Sequence, residues 1–541
     1  MKNKQLLLGD EALALGAINA GLSGAYAYPG TPSTEILEYV QGNAIARERK
    51  IHSHWSSNEK TAVEEALGMS FCGKRAIVSM KHVGLNVAAD PFMNSAMTGA
   101  NGGLLVISAD DPSMHSSQNE QDSRFYASFA ILPALEPSNQ QEAYDMADYG
   151  FTLSESLGLP VMVRLVTRLS HSRAVVNVAE TPRSENKFQY PENTAQWVLM
   201  PANSRRRYRE LLELRDRMEE SSESSPYNRF TQGTDSRLGI IASGIAYNYV
   251  MECFPEGCPF PILKISQYPI PRKKVAELVD SCDAVLVVEE GQPFIEPGLR
   301  GLLDRGPKVY GKLDGILPAS GELSPDTVAS ALVELFPEMA EKLTVPTREP
   351  SKIVAPRPPA LCQGCGHRDV YAALNAALAD CVSPKVFGDI GCYTLGWLSP
   401  FNAIDTCVDM GASITMAKGA ADAGQRPAVA IIGDSTFTHS GMTGLLDSVN
   451  ENSPITIIIS DNLTTGMTGG QDSQGTGKLE EICLGLGVDP DHLMTIDSLP
   501  KNFEDMKKLF SAEFAYEGLS VVIARRECIQ TARRHAKSRK A

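Results

Sequence analysis

Two short stretches constrain the fold of this 541-residue chain more than any others. "AVAIIGD" (428–434) and "ITIIISDN" (455–462) are nearly continuous apolar runs that each end in a carboxylate or an amide. A half-buried strand alternates apolar with polar residues, whereas a continuous run has no face to give to water. Coverage on both faces is the condition of parallel strands flanked by helices. In a doubly wound sheet of this kind, the carboxyl ends of neighbouring strands border the ligand crevice. The two runs therefore predict that Asp434 and Asn462 stand close together at one crevice.

The rest of the chain repeats the theme. Over 1–185, helical spacing in "GDEALALGAINAGL" and "TEILEYVQGNA" alternates with the strand-like "SGAYAYPGTPS", "RAIVSM" and "GGLLVISAD", which again predicts a parallel α/β sheet. Residues 186–235 turn polar: "RRRYRELLELRDRMEESSESS" reads as a charged helix followed by a Ser-rich linker. A second, smaller α/β unit is expected over 236–345, with strands "LGIIASG" and "AVLVVEEG". A Pro-rich linker (346–360) then leads into the last unit, 361–541. The expected class is multi-domain α/β with doubly wound parallel sheets.

Charge and cysteine usage exclude several functions. With 50 basic and 65 acidic residues the net charge is −15, which argues against non-specific nucleic-acid binding. The basic end "ARRHAKSRKA" reads as a solvated tail. No apolar run approaches the roughly 18 residues needed to span a bilayer. The opening segment reaches Asp10 and Glu11 too early for a signal peptide. Eleven cysteines spread over this length are not a secreted disulfide framework. The expectation is a cytoplasmic enzyme without nucleic-acid or membrane partners.

"LCQGCGHR" places Cys362 and Cys365 two residues apart, with His367 beside them. Such a pair fits a dithiol, half of a zinc site, part of an iron–sulfur cluster, or plain buried thiols. At the strand ends, Asp434 and Asn462 offer two hard oxygens suited to Mg²⁺, which commonly keeps phosphate oxygens as well. The helix expected after Asp434 can present free N–H groups to those phosphates, and Gly433 would let the backbone come close. Singly, Asp434 and Asn462 also read as helix-cap or turn residues.

From Gly433 to Asn462 is 29 positions (462 − 433). That resembles the thiamine diphosphate signature, Gly-Asp-Gly followed by a distant Asn, with Ser435 in place of the last Gly. "RPPALCQGCGHR", "GDIGCYTLG", "NAIDTCVDMGASI" and "DNLTTGMTGGQDSQGTG" extend the likeness, as do "AYPGTPSTEI", "HSHWSSNEKTAVEEALG" and "MKHVGLNVAADP". As an ordered set spanning essentially the whole chain, they resemble the alpha subunits of the indolepyruvate:ferredoxin oxidoreductases, in the 2-oxoacid:acceptor oxidoreductase family.

The resemblance implies a thiamine diphosphate-binding fold. Its pyrimidine-binding domain is 1–185, its transketolase C-terminal-like domain 236–345, and its diphosphate- and Mg²⁺-binding domain 361–541. It implies that Glu59 faces the pyrimidine ring from a buried position, and that Thr31 and His82, with Lys81 beside it, face the substrate. Asp434, Asn462 and the Thr464 carbonyl would hold Mg²⁺. Gly391, Met410, Gly411, Gly433 and Ser435 would border the cofactor, with Asp409 left out of the metal shell. Cys362, Cys365, Cys392 and Cys528 would ligate one [4Fe–4S] cluster, with Cys483 as substitute for Cys528.

The implied reaction converts an arylpyruvate such as indolepyruvate, with coenzyme A, into an acyl-CoA. The family's cysteine-rich ferredoxin-like domain has no counterpart in this sequence. Electrons would therefore pass to ferredoxin or to a separate iron–sulfur subunit. A small beta (gamma-type) subunit is expected, and a homodimer of this chain within a hetero-oligomer, with Glu59 of one protomer facing Asp434 of the partner subunit. A non-oxidative thiamine-dependent decarboxylase and a non-catalytic scaffold subunit stay open as alternatives.

Overall fold

The computed structural model describes residues 3–343, 353–355 and 357–538. Most of the expected Pro-rich linker 346–360 lies outside the described residues, as does the chain from 539 onward. The chain divides into two compact units, Met1–Glu349 and Pro350–Ala541. No helix among the described residues is long and apolar enough to cross a membrane.

The first unit is built on a seven-stranded sheet. Its spatial order is Gln267–Tyr268, Ala134–Leu135, Val161–Val166, Leu104–Asp110, Ala76–Lys81, Gly24–Ala27 and His52–Trp55. Every neighbouring pair is parallel except the first. The three central strands are buried at every residue, so their apolar runs are covered on both faces. Expected helices form as Gly9–Asn19 and Thr34–Gly42.

A five-stranded sheet comes next, in the order Val309–Tyr310, Val285–Val288, Gly239–Ser243, Ile262–Ile265 and Arg229–Thr231. It is not insulated from the first sheet. The Gln267–Tyr268 strand continues out of Ile262–Ile265 and pairs antiparallel with Ala134–Leu135. Two fully buried guanidinium groups reinforce the junction. Arg164 binds Asp110 Oδ2 at 2.6 Å and Glu136 Oε1 at 2.5 Å, and donates to the Glu290 carbonyl at 3.2 Å. Arg124 reaches Glu289 Oε2 at 3.0 Å and the Gln292 carbonyl at 2.9 Å. Charges this deep are tolerable only because each is paired and hydrogen-bonded.

The segment 186–235 differs from the expected linker. Its helix, Pro201–Glu223, runs into the Ser-rich stretch, and the residues around its end are anchored. Ser222 donates to the Gln267 and Pro269 carbonyls at 3.1 and 2.6 Å. Buried Asn228 accepts from the amides of Ser266 and Gln267 at 2.8 and 2.9 Å, and donates to the Ser222 carbonyl at 3.0 Å. Ser222 thus serves as a hydrogen-bonding partner for a strand more than 40 residues onward.

The second unit is a six-stranded sheet whose neighbouring strands all run parallel. The order is Thr406–Cys407, Lys385–Gly388, Ala428–Gly433, Thr456–Asp461, Ser520–Arg525 and Leu493–Asp497. Successive residues feed opposite cores: Val429, Ile431, Ile458 and Val522 pack on one face. Ala430, Ile432, Ile457, Ile459, Val521 and Ile523 pack on the other.

Replacing Arg164 by Met leaves the carboxylates of Asp110 and Glu136 without their cation. We expect a loss of about 3–5 kcal/mol, read from urea unfolding; a loss below about 1 kcal/mol would show that the junction does not depend on this pair.

Candidate active site

The parallel register sets Gly433 beside Ser460, so Asp434 and the 461–462 pair leave adjacent strands at one edge. Asp434 opens a helical turn and is only 2% exposed. Its Oδ2 has no hydrogen-bond partner. Burial, and then the charge of Asp461, raise its carboxyl to about 7. Asp461 is committed elsewhere: Arg525 Nε lies 2.6 Å from its Oδ2, and its Oδ1 accepts from the Leu463 amide at 3.1 Å. Asn462 Oδ1 accepts from the Thr464 amide at 3.1 Å, which turns the loop back and leaves that oxygen one lone pair. The Thr464 hydroxyl donates to the Gln471 carbonyl at 2.8 Å. Ser435 and Thr465 join hydroxyls at 2.9 Å and tie the two strand-end loops together.

The glycines act differently from one another. A Cβ on Gly433 or Gly391 would fall 2.6 or 2.4 Å from the Tyr393 ring. At both positions the missing Cβ lets the backbone pass close to that aromatic ring. Gly411 has φ +101°, which L side chains rarely adopt. Its amide donates to Asp389 Oδ1 and Oδ2 at 2.9 and 3.0 Å, and the Ser413 amide donates to Oδ2 at 3.0 Å. Asp389 therefore fixes the start of the Ala412–Asp422 helix and with it the Met410–Gly411 turn. Met410 is half-buried and Asp409 exposed.

The four singled-out cysteines line one cavity of about 90 Å³, together with His367 and Asn462. Cys365 precedes the Gly366–Leu378 helix, and its amide donates to the Cys362 carbonyl at 3.1 Å. Cys392 comes after the Lys385–Gly388 strand and Cys528 after Ser520–Arg525. Burial first, then proximity to Cys365, Cys528 and Cys362, pushes the Cys392 thiol up to about 12. A Cβ on Gly466 would lie 3.5 Å from both Cys392 Sγ and Asn462 Nδ2, so the cavity adjoins the Asn462 loop. The Cys528 amide donates to the Asn462 carbonyl at 3.0 Å. Cys483 is buried in the core among Ile457, Ile459 and Leu479.

In the first unit, Glu59 opens the Glu59–Phe71 helix and is 5% exposed, while Glu64 and Glu65 face solvent. Its carboxylate lies over Gly84, where a Cβ would meet Glu59 Oε1 at 2.4 Å. Lys81 and His82 leave the Ala76–Lys81 strand, and Thr31 lies in the loop after Gly24–Ala27, the neighbouring strand. Lys81 Nζ donates to the Ser116 carbonyl at 2.6 Å, and burial lowers its ammonium to about 8. The Ser116 hydroxyl donates to the Thr31 carbonyl at 3.5 Å. His82 is buried, with Nε2 3.2 Å from the Asn119 carbonyl and Nδ1 unpartnered.

Sequence reasoning missed the supports of these residues. His367 has Ser460 Oγ 2.6 Å from its Nδ1 and places Nε2 3.4 Å from Asn462 Nδ2. Burial drops its imidazole to about 4, so it stays neutral. Its position next to "CQGC" suggested nothing of this. Tyr393, Asp389 and Gly84 carried no sequence signal beyond lying within the quoted motifs.

Comparison with known proteins matches this division of residues. The family described as pyruvate flavodoxin/ferredoxin oxidoreductase, thiamine diphosphate-binding, matches residues 15–223. The thiamine pyrophosphate enzyme, C-terminal TPP binding domain, matches 389–524. "Indolepyruvate oxidoreductase subunit IorA" of Archaeoglobus fulgidus is 38% identical across 97% of this chain and 86% of its own length. The chain belongs to the IorA family. The subunit of the same name from Methanothermobacter marburgensis is 39% identical, over 97% and 87% of the two chains. A solved 2-oxoglutarate:ferredoxin oxidoreductase from Magnetococcus marinus, with 2-oxoglutarate, coenzyme A and succinyl-CoA bound, is 18% identical. It covers 62% of this chain and 65% of its own, with a TM-score of 0.48. This IorA-family chain thus carries two thiamine diphosphate-binding domains in a mixed α/β fold, the class expected from its sequence.

Two outcomes test the geometry. Gly84→Ala should cost about 1–3 kcal/mol in chemical denaturation by overpacking against Glu59. Gly68→Ala, in the helix that Glu59 opens and with nothing within 4 Å, should cost nothing. The second outcome concerns Asp434, whose carboxyl is raised to about 7 from its ordinary value. The folded chain then holds a proton that the unfolded chain releases, so metal-free stability falls as pH rises from about 4 to 7 and is flat above. Asp434→Asn should remove that fall and leave the metal-free chain roughly 2–4 kcal/mol more stable than the parent at pH 8. Equal stabilities at pH 8 would contradict the buried, unpaired carboxylate.

Proposed function

We propose that this chain is the thiamine-binding subunit of an enzyme that oxidatively decarboxylates an arylpyruvate, indolepyruvate foremost, to an acyl-coenzyme A. The electrons pass to ferredoxin or a similar acceptor. The observation that carries the reading is the buried Asp434 carboxylate, one oxygen bonded to nothing, at an edge it shares with Asn462. Such a group calls for a cation, and oxygen donors of this kind suit Mg²⁺. Asp434, Asn462 and Thr464 would hold the ion. The backbone around Gly391, Met410, Gly411, Gly433 and Ser435 would receive the diphosphate. When bound, thiamine diphosphate supplies the electron sink that lets carbon dioxide leave.

The chain's own residues bind and orient. Glu59, kept in place over Gly84, would accept a hydrogen bond from the pyrimidine ring. Thr31, Lys81 and His82 would hold the substrate carboxylate at the strand ends. The names of the relatives support a substrate of the indolepyruvate type.

Cys362, Cys365, Cys392 and Cys528 would ligate a [4Fe–4S] cluster. A four-thiolate zinc site sets its sulfurs about 4 Å apart, because each Zn–S bond is about 2.3 Å. Among the described residues, no three of these cysteines bring their sulfurs within 4.8 Å of one another. The cysteines lining this cavity therefore lack the close-set arrangement of a single zinc ion. The working enzyme would be cytoplasmic, a homodimer of this chain joined by a small beta subunit.

The test is anaerobic purification with the partner subunit. Asp434→Ala should weaken thiamine diphosphate binding by at least about 100-fold in calorimetry while keeping its iron. Cys392→Ala should keep cofactor binding but lose the cluster, about four iron per chain, along with oxidative turnover. Unchanged cofactor affinity in the first variant would remove the metal assignment. An active, iron-free preparation would favour the non-oxidative decarboxylase.

A further inference from the structure

The strongest unassigned feature lies in the first unit, where three helices meet. Asp10 is in the first turn of Gly9–Asn19, Glu35 is in the first turn of Thr34–Gly42, and His171 ends the short helix Thr167–His171. One donor atom from each lies within 4.8 Å of the other two. Among the described residues, no other three His, Cys, Asp or Glu side chains approach so closely.

Asp10 is completely buried, yet neither carboxylate oxygen has a hydrogen-bond partner. A carboxylate sealed from water without donors costs several kcal/mol unless a cation or a proton meets it. The fully buried Ser170 hydroxyl lies beside the same carboxylate. Glu35 and His171 stand at the mouth. Their side chains are each 35% exposed, with Oε2 and Nε2 3.5 Å apart, so an ion has a path in.

We propose that Asp10, Glu35 and His171 bind a divalent first-row metal ion of the manganese or zinc type. Two hard carboxylates with one borderline imidazole suit such ions better than Ca²⁺ or Mg²⁺, which take oxygen ligands. Three protein ligands with metal–donor bonds near 2.1 Å set the donor atoms about 3–3.6 Å apart, and the Glu35 and His171 atoms already stand 3.5 Å apart. Without the ion, burial raises the Asp10 carboxyl to about 8, so Asp10 takes a proton instead. With it, the metal pins the starts of two helices, the second of which begins three residues beyond Thr31.

The probe is Mn²⁺, which has little affinity for thiolates and so avoids the cysteine cavity. Full-length chain carrying Asp434→Ala, without thiamine diphosphate, should bind one Mn²⁺, counted by electron paramagnetic resonance. Its spin-echo modulation should show one histidine nitrogen. Adding His171→Gln should abolish the nitrogen modulation and weaken binding at least about 10-fold. Adding Asp10→Asn should abolish binding. Because His171 is partly exposed, its variant keeps the test decisive even where Asp10→Asn fails to fold. A chain that binds no Mn²⁺, or whose bound Mn²⁺ ignores His171→Gln, overturns the site. The cluster would then be an ion pair over a protonated acid.

Discussion

Parallel pairing at the centre of each sheet is the constraint on which the rest of the structure depends. A parallel strand must be covered on both faces, so its two side-chain sets enter two different cores, as Ile431 and Ile432 do. The connection to the next strand's start must then run through a helix, so the loops that leave the strands' carboxyl ends gather at one edge. Asp389, Asp434 and Asn462 reach one edge for that reason, as Thr31, Lys81 and His82 do in the first unit. The apolar runs fix where the polar residues emerge.

Burying charge is the second organising choice. In the first unit the guanidinium groups of Arg124 and Arg164 sit where two sheets share a chain segment. Hydrophobic side chains of similar size could fill that volume. Paired charges add direction, because each guanidinium accepts partners only along its fork. At the second unit's crevice the logic is inverted. Asp461 has its arginine, whereas Asp434 is left short of a partner, and the shortage marks the place where a cation belongs.

How much of this could be read from the sequence depends on the range of the interaction. The strands around Asp434 and Asn462 were legible because their apolar runs and their terminal polar residues are neighbours in sequence. Glu59 was legible as the buried member of its helix only through a motif; nothing local separates it from Glu64. The Ser-rich stretch near Ser222 misled because its composition is that of a linker, while its partners, Gln267 and Pro269, lie far along the chain. The Gln267–Tyr268 strand is too short to have any period. His367 had no assignment in the sequence, because the partners of its ring, Ser460 and Asn462, lie more than 90 residues onward.

The bond from the Cys528 amide to the Asn462 carbonyl separates two roles at a single residue. Because the donor is main chain, alanine or serine at 528 would delete the sulfur and leave the strand-end loop tethered. Proline has no N–H to give, and would release the loop whatever happened to the thiol. A position that answers differently to alanine and to proline lets genetics weigh ligand chemistry against backbone mechanics, one codon at a time.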